Sequence, residues 1–239
     1  IIITLYNVCF TTRLEMRRLF AAERMIPLPP KPKFTKEEIT NAALTVAREK
    51  GIAAVSAREV ALVLGTSTRP IFTYFRTMDE LKKEVRQFAE NIFQNYVEKG
   101  LTMDPPFLGV GVQYLAFAHQ EPELYKLLYM ARPEEGQCSA LEAMSRVQAQ
   151  VRNRLMEIYH IDALAADRYF RDMWLVVHSL CSLIVTGNCA FSQQEVQQLL
   201  TGFSLSLCKA LKEVPGFAEG TFDRDEAFRR MIGDAETRV

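Results

Sequence analysis

The sequence predicts an all-α protein built from two helical parts. Strict alternation of apolar and polar residues, the pattern of a half-buried strand, is absent after residue 34. Four segments match the capping box, in which a Ser or Thr hydroxyl and a Glu three residues later close the first helical turn. They begin at Thr35, Ser56, Thr77 and Ser192. Two adjacent prolines, Pro105 and Pro106, break the helical pattern between the two parts.

The first part is predicted to contain four helices. One runs from about Lys36 to Lys50, with Ile39, Ala42, Ala43, Val46 and Ala47 on its apolar face, and ends at Gly51. A short helix follows from Ser56 to about Leu64 and is closed by Gly65. Another short helix passes through residues 71–75, and Thr77 then starts a longer helix to about Tyr96.

The second part is predicted to contain five helices and a tail. The helices span roughly residues 107–120, 122–131, 139–159, 163–187 and 193–213, and the polar tail has room for one more turn. We therefore expect an extension with a Pro-rich linker at 1–33 and domains at 34–96 and 105–214. Residues 215–239 form the tail.

The segment before the linker has two possible interpretations. Residues 1–24 place apolar residues before the arginines, the reverse of a signal peptide, and are too short and polar to span a membrane. We favour an upstream extension outside the fold, with Met25 as the natural start. The alternative is a short helix that packs on the body of the protein.

Composition indicates a soluble globular protein of the cytoplasm. Of the 239 residues, 49% are hydrophobic and 24% charged, enough to build a sizeable core. The five cysteines have no paired spacing, and an odd number favours reduced thiols over a disulfide framework. Residues 31–86 carry a charge balance of +4 and residues 87–239 a balance of −6. Only residues 31–86 are therefore suited to bind a polyanion.

Two short helices joined by a tight turn containing Gly are typical of a helix-turn-helix. Here the turn is Gly65-Thr66-Ser67, and Gly65 lets the backbone turn where a side chain would clash. If Ser67 caps the second helix, Pro70 falls in its first turn, where no hydrogen bond is lost. The small core is expected to contain Val60, Leu64, Ile71 and Phe75. The exposed head of the second helix would present Thr66, Thr68 and Arg69 to base edges in the major groove.

From Phe34 to about Phe93 the sequence resembles the DNA-binding domain of the TetR (tetracycline repressor) family. The matching segments read Ala-Arg-Glu-Val-Ala-Leu-Val-Leu-Gly at 57–65, Thr-Ser at 66–67, Phe-Thr-Tyr-Phe at 72–75 and Asp-Glu-Leu at 79–81. The resemblance implies that four positions touch phosphates or sit at the groove: Ser56, Thr68, Phe72 and Tyr74. Lys36 is a further candidate for the phosphate backbone.

Two departures from the family pattern bear on DNA recognition. Arg69, followed by Pro70, replaces the small residue usual at the head of the recognition helix, and could contact guanine with two hydrogen bonds. Met78 replaces a lysine that commonly binds phosphate, and Lys82, one turn further on, could replace it.

The second part resembles the C-terminal domain of a TetR subgroup named for a Trp…His-Gly signature. Trp174 and His178 match it, whereas Ser179 stands in place of the Gly. The resemblance implies a pocket for a small-molecule effector. Aromatic and sulfur side chains are dense in this part; we expect most of them in the core and a minority in the lining of an apolar cavity. Our candidates for that lining are Phe107, Tyr114, Tyr125, Trp174 and His178.

Residues 163–213 are predicted to form a homodimer interface. Residues 173–186 are apolar nearly all round, and the next helix carries an apolar stripe from Val196 to Leu211. Pairing these two helices with a second copy would hide a large apolar patch in a four-helix bundle. The dimer would also place two helix-turn-helix motifs on a palindromic DNA site.

The motifs do not favour an enzyme. The three histidines lack metal-type spacing, and no nucleophile elbow, Gly-rich phosphate loop or carboxylate pair on one helix face is found. We expect no metal and no cofactor. The sequence thus predicts a cytoplasmic regulator, a repressor that binds operator DNA as a homodimer and is released by an unknown effector. The alternative is a DNA-binding regulator or architectural dimer without an effector.

Overall fold

The computed structural model describes residues 33–104, 106–131, 139–188 and 191–236. Every regular element within these ranges is a helix, which confirms the all-α prediction with an N-terminal helix-turn-helix and a C-terminal helical domain. The predictions made for residues 1–24 lie outside the described residues. Among the described residues, no helix has the length and apolarity that a membrane crossing requires.

The first part contains four α-helices at the predicted places. They are α1 (Lys36–Lys50), α2 (Ala57–Val63), α3 (Ile71–Tyr74) and α4 (Met78–Leu101), with a 3-10 turn at Ile52–Ala54. The hydroxyl of Ser56 accepts from the Glu59 amide and that of Thr77 from the Glu80 amide, at 3.3 and 3.2 Å. The Glu80 carboxylate instead accepts from the Arg76 amide at 2.7 Å. The hydroxyl half of the predicted capping box therefore starts α2 and α4.

The described residues of the second part form six α-helices. They are α5 (Pro106–Gln120), α6 (Pro122–Tyr125), α7 (Ala140–Tyr159), α8 (Ala163–Val185), α9 (Gln193–Glu213) and α10 (Arg224–Glu236). The complete capping box predicted at Ser192 starts α9, and an unpredicted one at Ser139 starts α7. The helix in the tail is longer than the single turn expected. Asp223 stabilises its start, since its carboxylate accepts from the Glu226 amide at 2.9 Å.

Helix α4 extends beyond its predicted end at Tyr96 because its last turns pack on α5. Val97 and Gly100 are buried there. A Cβ atom added to Gly100 would lie 2.6 Å from the Cα of Val110, and one added to Gly109 would overlap the Gly100 carbonyl oxygen. The two glycines thus allow the backbones of α4 and α5 to touch.

A π-helical turn, Lys126–Met130, follows α6 where the sequence predicted one continuous α-helix. Its closing hydrogen bond runs from the Ala131 amide to the Lys126 carbonyl at 3.0 Å. The guanidinium of Arg86, buried in α4, donates to the carbonyls of Leu127 and Leu128 at 2.7 and 3.4 Å. Because the last carbonyls of a helix lack intrahelical partners, Arg86 stabilises the end of this turn.

Helix α1 is bound near both of its ends to the rest of the chain. Near its start, the Lys36 ammonium pairs with the Glu84 carboxylate of α4 at 2.5 Å. Near its end, Arg48 donates two parallel hydrogen bonds to Glu121, just before α6, at 2.9 and 2.7 Å. Such two-pronged pairs fix orientation as well as distance. The first part therefore contacts the second in two ways: α1 binds the start of α6, and α4 packs on α5 and the π-helical turn.

Helix α8 lies at the centre of the second part and packs on α5, α7 and α9. Asp162 caps its start by accepting from the Ala165 amide at 2.8 Å. Several large apolar side chains of α8 and α9 stay exposed in the single chain. They are Leu164, Leu175, Leu183, Phe203 and Leu205. Along α9, Leu200 is buried, whereas Val196, Leu199, Leu207 and Leu211 are only half-buried.

Candidate functional site

The turn between α2 and α3 is a Schellman motif centred on Gly65. The Gly65 amide bonds to the Leu62 carbonyl at 3.2 Å, and the Thr66 amide reaches back to the Ala61 carbonyl at 3.0 Å. Gly65 has φ = 61°, which side-chain-bearing residues rarely adopt, yet a Cβ there would meet nothing within 4 Å. The predicted need for Gly is therefore conformational, and the expected clash of a side chain is wrong.

The small core of the helix-turn-helix contains three of the four predicted residues. Val60 and Ile71 are fully buried and Phe75 nearly so, whereas Leu64 is half-buried. The sequence suggested that Ser67 caps α3, but Ser67 does not. Pro70 precedes the first helical residue, and the Ile71 amide bonds to the Thr68 carbonyl at 3.2 Å. The tight turn thus extends as far as Pro70, and α3 begins later than the sequence suggested.

The residues expected at the DNA surround this short helix. Thr68 and Arg69 are exposed just before α3, and Thr66 is half-buried. Within α3, Phe72 is 51% exposed and Tyr74 36% exposed. An apolar ring so open to solvent on a short helix needs a partner surface to become buried. We call these residues, which lie just before α3 and along it, the reading surface: Thr66, Thr68, Arg69, Phe72 and Tyr74.

Three further candidates for phosphate contact have other surroundings. The exposed Ser56 hydroxyl already caps α2. Lys36 is exposed but pairs with Glu84, and its ammonium lies 5.5 Å from the centre of the Phe75 ring. Lys82, in the first turns of α4, is half-buried. A phosphate would therefore have to compete with Glu84 for Lys36.

Four of the five candidates for the effector pocket lie together around His178. The Nδ1 atom of His178 is 2.8 Å from the Tyr125 hydroxyl and 3.1 Å from the Tyr114 hydroxyl. The Trp174 ring stacks on the imidazole. Burial lowers the pKa of His178, which favours the neutral ring and an Nδ1 that accepts from a tyrosine. We call Tyr114, Tyr125, Trp174 and His178 the His178 group.

The fifth candidate, Phe107, belongs to a separate aromatic cluster. Its ring meets those of Tyr159 and Tyr169 edge-on, with centres 5.6 and 5.5 Å away. The Tyr169 hydroxyl is hydrogen-bonded to Ser204 of α9 at 2.7 Å. Phe107 therefore contributes to the packing of α5, α7 and α8 and lies apart from the His178 group.

A cavity of about 310 Å³ lies between α4, the π-helical turn and α7. None of the five candidates lines it. Its lining combines an apolar and aromatic part with a polar row on α4, and Arg86 borders it. Tyr129 separates the cavity from the His178 group, since its ring centre is 5.1 Å from that of Tyr125 and 6.2 Å from that of His178.

Sequence reasoning did not identify Arg86 or Tyr129 as site residues. Arg86 sits beside Val85 on an amphipathic helix, where an arginine is ordinarily read as solvated. Its burial follows only from the approach of the π-helical turn, 41 residues away along the chain. The described residues contain no group of three metal-ligating side chains that could hold an ion.

Comparison with known proteins gives matches to both parts. Residues 39–85 match the bacterial regulatory proteins of the tetR family, and residues 107–202 match the tetracyclin repressor-like C-terminal domain. An uncharacterized HTH-type transcriptional regulator of Mycobacterium tuberculosis (strain ATCC 25618 / H37Rv) is 24% identical over 158 residues, which cover 65% of this chain and 72% of the relative. A TetR-like transcriptional regulator from Rhodococcus sp. RHA1 superposes with a TM-score of 0.47 at 16% identity, over 71% of this chain and 92% of that one.

Proposed function

Because the chain belongs to the TetR family of bacterial regulatory proteins and is a DNA-binding transcriptional regulator of that type, we propose that it is a cytoplasmic repressor. It binds a palindromic operator as a homodimer, and a small molecule bound in the second part releases it. The relative from Mycobacterium tuberculosis is described as a transcriptional regulator, which favours a non-enzymatic role.

The observation that carries the proposal is the reading surface at the turn and on α3. The Schellman turn holds the two short helices together, and the buried Val60, Ile71 and Phe75 fix them on the rest of the domain. The exposed Arg69 then projects from the head of a helix that fits a major groove. Thr68 precedes it and Tyr74 ends α3, and both are exposed, so their hydroxyls can position the protein on phosphates.

The homodimer is supported by the outward-facing apolar side chains of α8 and α9. Leu175, Phe203 and Leu205 are between 48% and 66% exposed in the single chain. Burying such side chains against a second copy removes apolar area from water and gives a closed two-fold assembly. We propose the interface within residues 163–213.

Release by an effector is supported by the contacts between the two parts. Arg86 of α4 binds the carbonyls of the π-helical turn, and Glu121 before α6 binds Arg48 of α1. A ligand that moves α6 or the turn therefore acts on α1 and α4, the two longer helices of the first part. The effector would act by binding more tightly to the conformation that fits DNA poorly.

Selection of duplexes from a random-sequence pool by the purified protein tests the proposal. We expect an enriched sequence with two inverted half-sites about one helical turn apart, or a multiple of it, bound by two chains. An enriched sequence without inverted symmetry, bound by one chain, would refute the proposal that the protein binds DNA as a homodimer. Equal recovery of all sequences would favour an architectural DNA-binding protein.

A further inference from the structure

We propose that the cavity between α4, the π-helical turn and α7 binds a small, uncharged aromatic molecule that carries both hydrogen-bond donors and acceptors. The proposal rests on the proposed function, because this molecule would be the effector.

The inner wall of the cavity favours a flat aromatic ring. Phe93 and Tyr129 meet edge-on there, with ring centres 5.3 Å apart and planes inclined by 75°. The nearly buried Leu128 and Val147 complete this wall. A volume of about 310 Å³ is at the lower end of the range for small-molecule sites, roughly 300–1,000 Å³. Aromatic rings pack edge-on or offset against such walls.

The lining also includes a row of carboxamides on α4. Gln87, Asn91 and Gln94 follow one another at intervals of one helical turn. The Gln87 amide donates to the Asn91 oxygen at 3.3 Å, which leaves further donor and acceptor atoms on both side chains. A pure hydrocarbon would cover these groups without replacing their bonds to water, at a cost in affinity.

Three charged side chains line the cavity, Arg86, Glu90 and Arg146. The Arg86 guanidinium binds the carbonyls of Leu127 and Leu128, and its Nε lies 3.5 Å from the Glu90 carboxylate. Arg146 is exposed to solvent at the rim. A carboxylate on the ligand would therefore find Arg86 already bound and Arg146 solvated, and an ammonium ion would find Glu90 already beside Arg86. Both would lose hydration on entering.

Occupation of the cavity would reach the rest of the protein through Tyr129. Its ring contacts those of Tyr114, Tyr125 and His178, with centres 5.5, 5.1 and 6.2 Å away. The neighbouring residue, Leu128, accepts from Arg86 of α4. A ligand that shifts the π-helical turn therefore perturbs α4 directly.

Four probes of similar size separate the classes of ligand. They are 4-hydroxyacetophenone as the neutral aromatic, 4-hydroxybenzoate as the anion, tyramine as the cation and 1-octanol as the apolar chain. Titration calorimetry of the full chain with each probe measures affinity. We expect 4-hydroxyacetophenone to bind at least tenfold more tightly than the other three. Stronger binding of any of those, or binding of none, would overturn the proposal.

Matched variants test whether the probe occupies this cavity. Ala143→Phe fills the space from α7, whereas Ala149→Phe makes the same change on α7 outside the lining. Gln94→Leu removes part of the carboxamide row, and Gln150→Leu is its control. We expect Ala143→Phe to abolish binding and Gln94→Leu to weaken it about tenfold, with both controls unchanged. If both cavity variants bind the probe as the wild type does, the ligand lies elsewhere.

A parallel titration against the selected DNA duplex separates the two proposals. If 4-hydroxyacetophenone binds with the expected pattern across the variants but does not change DNA affinity, the ligand class stands and the effector role fails. If the probe fails to bind while the protein still recognises its operator, the ligand class is wrong and the DNA-binding role stands.

Discussion

The ring of Trp174 lies stacked on the imidazole of His178, with centres 4.7 Å apart and planes inclined by only 14°. The two residues are one turn apart on α8, and Trp174 is the single tryptophan of the chain. Its fluorescence therefore reports on the protonation of this one histidine.

We expect the fluorescence of Trp174 to fall on acidification, with a midpoint below the usual pKa of histidine. Burial lowers the pKa of His178, and a protonated imidazole quenches an indole stacked on it. Fluorescence titration from pH 7.5 to 5 measures the midpoint. The variant His178→Gln should lack the transition. A midpoint at or above the ordinary value would show that His178 is not held in its neutral form.

The same histidine should make stability depend on pH. The unfolded chain takes up the proton at a higher pH than the folded one, so the free energy of unfolding falls as pH drops through the ordinary pKa of about 6.5 towards the lowered one. Above that window the contribution is fully present. Urea denaturation at pH 7.5 and 5.5 should show a smaller loss for His178→Gln than for the wild type.

Arg69 and Tyr74 should affect DNA binding in different ways. Arg69→Ala is expected to cost roughly 1–3 kcal/mol on the operator and to relax preference at one base pair in each half-site, because base contacts carry specificity. Tyr74→Phe should weaken binding to operator and unrelated DNA alike, because phosphate contacts position without specifying. Titration of both variants against operator and scrambled duplexes decides between the roles. An equal loss on both duplexes for Arg69→Ala would make Arg69 a phosphate contact.

Lys36 is expected to bind phosphate in competition with its ion pair to Glu84. Lys36→Ala should reduce the salt dependence of DNA affinity by up to about 0.9 in the log–log slope, because one counterion fewer is released. Glu84→Gln should increase affinity, since it removes the competing carboxylate. If neither variant changes the slope or the affinity, the role of Lys36 is confined to its contacts with Glu84 and Phe75.

Phe203→Glu should dissociate the proposed dimer. Phe203 is 48% exposed on α9 in the single chain, and a carboxylate there would be buried without a partner at the interface. Phe228→Glu on α10 is the matched control, since Phe228 is 58% exposed outside residues 163–213. Sedimentation at micromolar concentration should give twice the chain mass for the wild type and the control. An unchanged mass for Phe203→Glu would place the interface elsewhere.

Two glycines of α5 should respond in opposite directions to the same substitution. Gly109→Ala should destabilise the protein by about 1–3 kcal/mol, because the new methyl overlaps the Gly100 carbonyl oxygen. Gly111→Ala meets nothing within 4 Å and should stabilise the helix by about 0.5–1 kcal/mol. Thermal and urea denaturation measure both. Equal effects would mean that α4 and α5 can separate without loss.

The helices could be predicted because their starts depend on local chemistry. Ser56, Thr77 and Ser192 each accept from an amide only three residues away, so sequence spacing alone identifies them. The π-helical turn could not be predicted in this way. The Arg86 guanidinium that binds its carbonyls comes from a helix 41 residues earlier.

The same distinction between local and long-range contacts applies to the candidate sites. Trp174 and His178 are neighbours on one helix, so their association follows from a spacing of four residues. Phe107 and Tyr114 share α5 and lie two turns, about 10.5 Å, apart, but Phe107 packs on Tyr159 and Tyr169, a contact between distant segments that their spacing does not reveal. From the sequence alone, the carboxamides of α4 are predicted to form the solvated face of an amphipathic helix. Only the packing of α7 across them makes a cavity.

The two ion pairs of α1 hold its two ends to different helices. Lys36 and Arg48 stand twelve residues apart, so their attachments to Glu84 and Glu121 are separated by about 18 Å along the helix. Glu84 belongs to the DNA-binding part itself, whereas Glu121 belongs to the second part. A displacement of Glu121 therefore acts on the Arg48 end of α1, and the helix can carry it over about 18 Å to the end that lies beside Phe75.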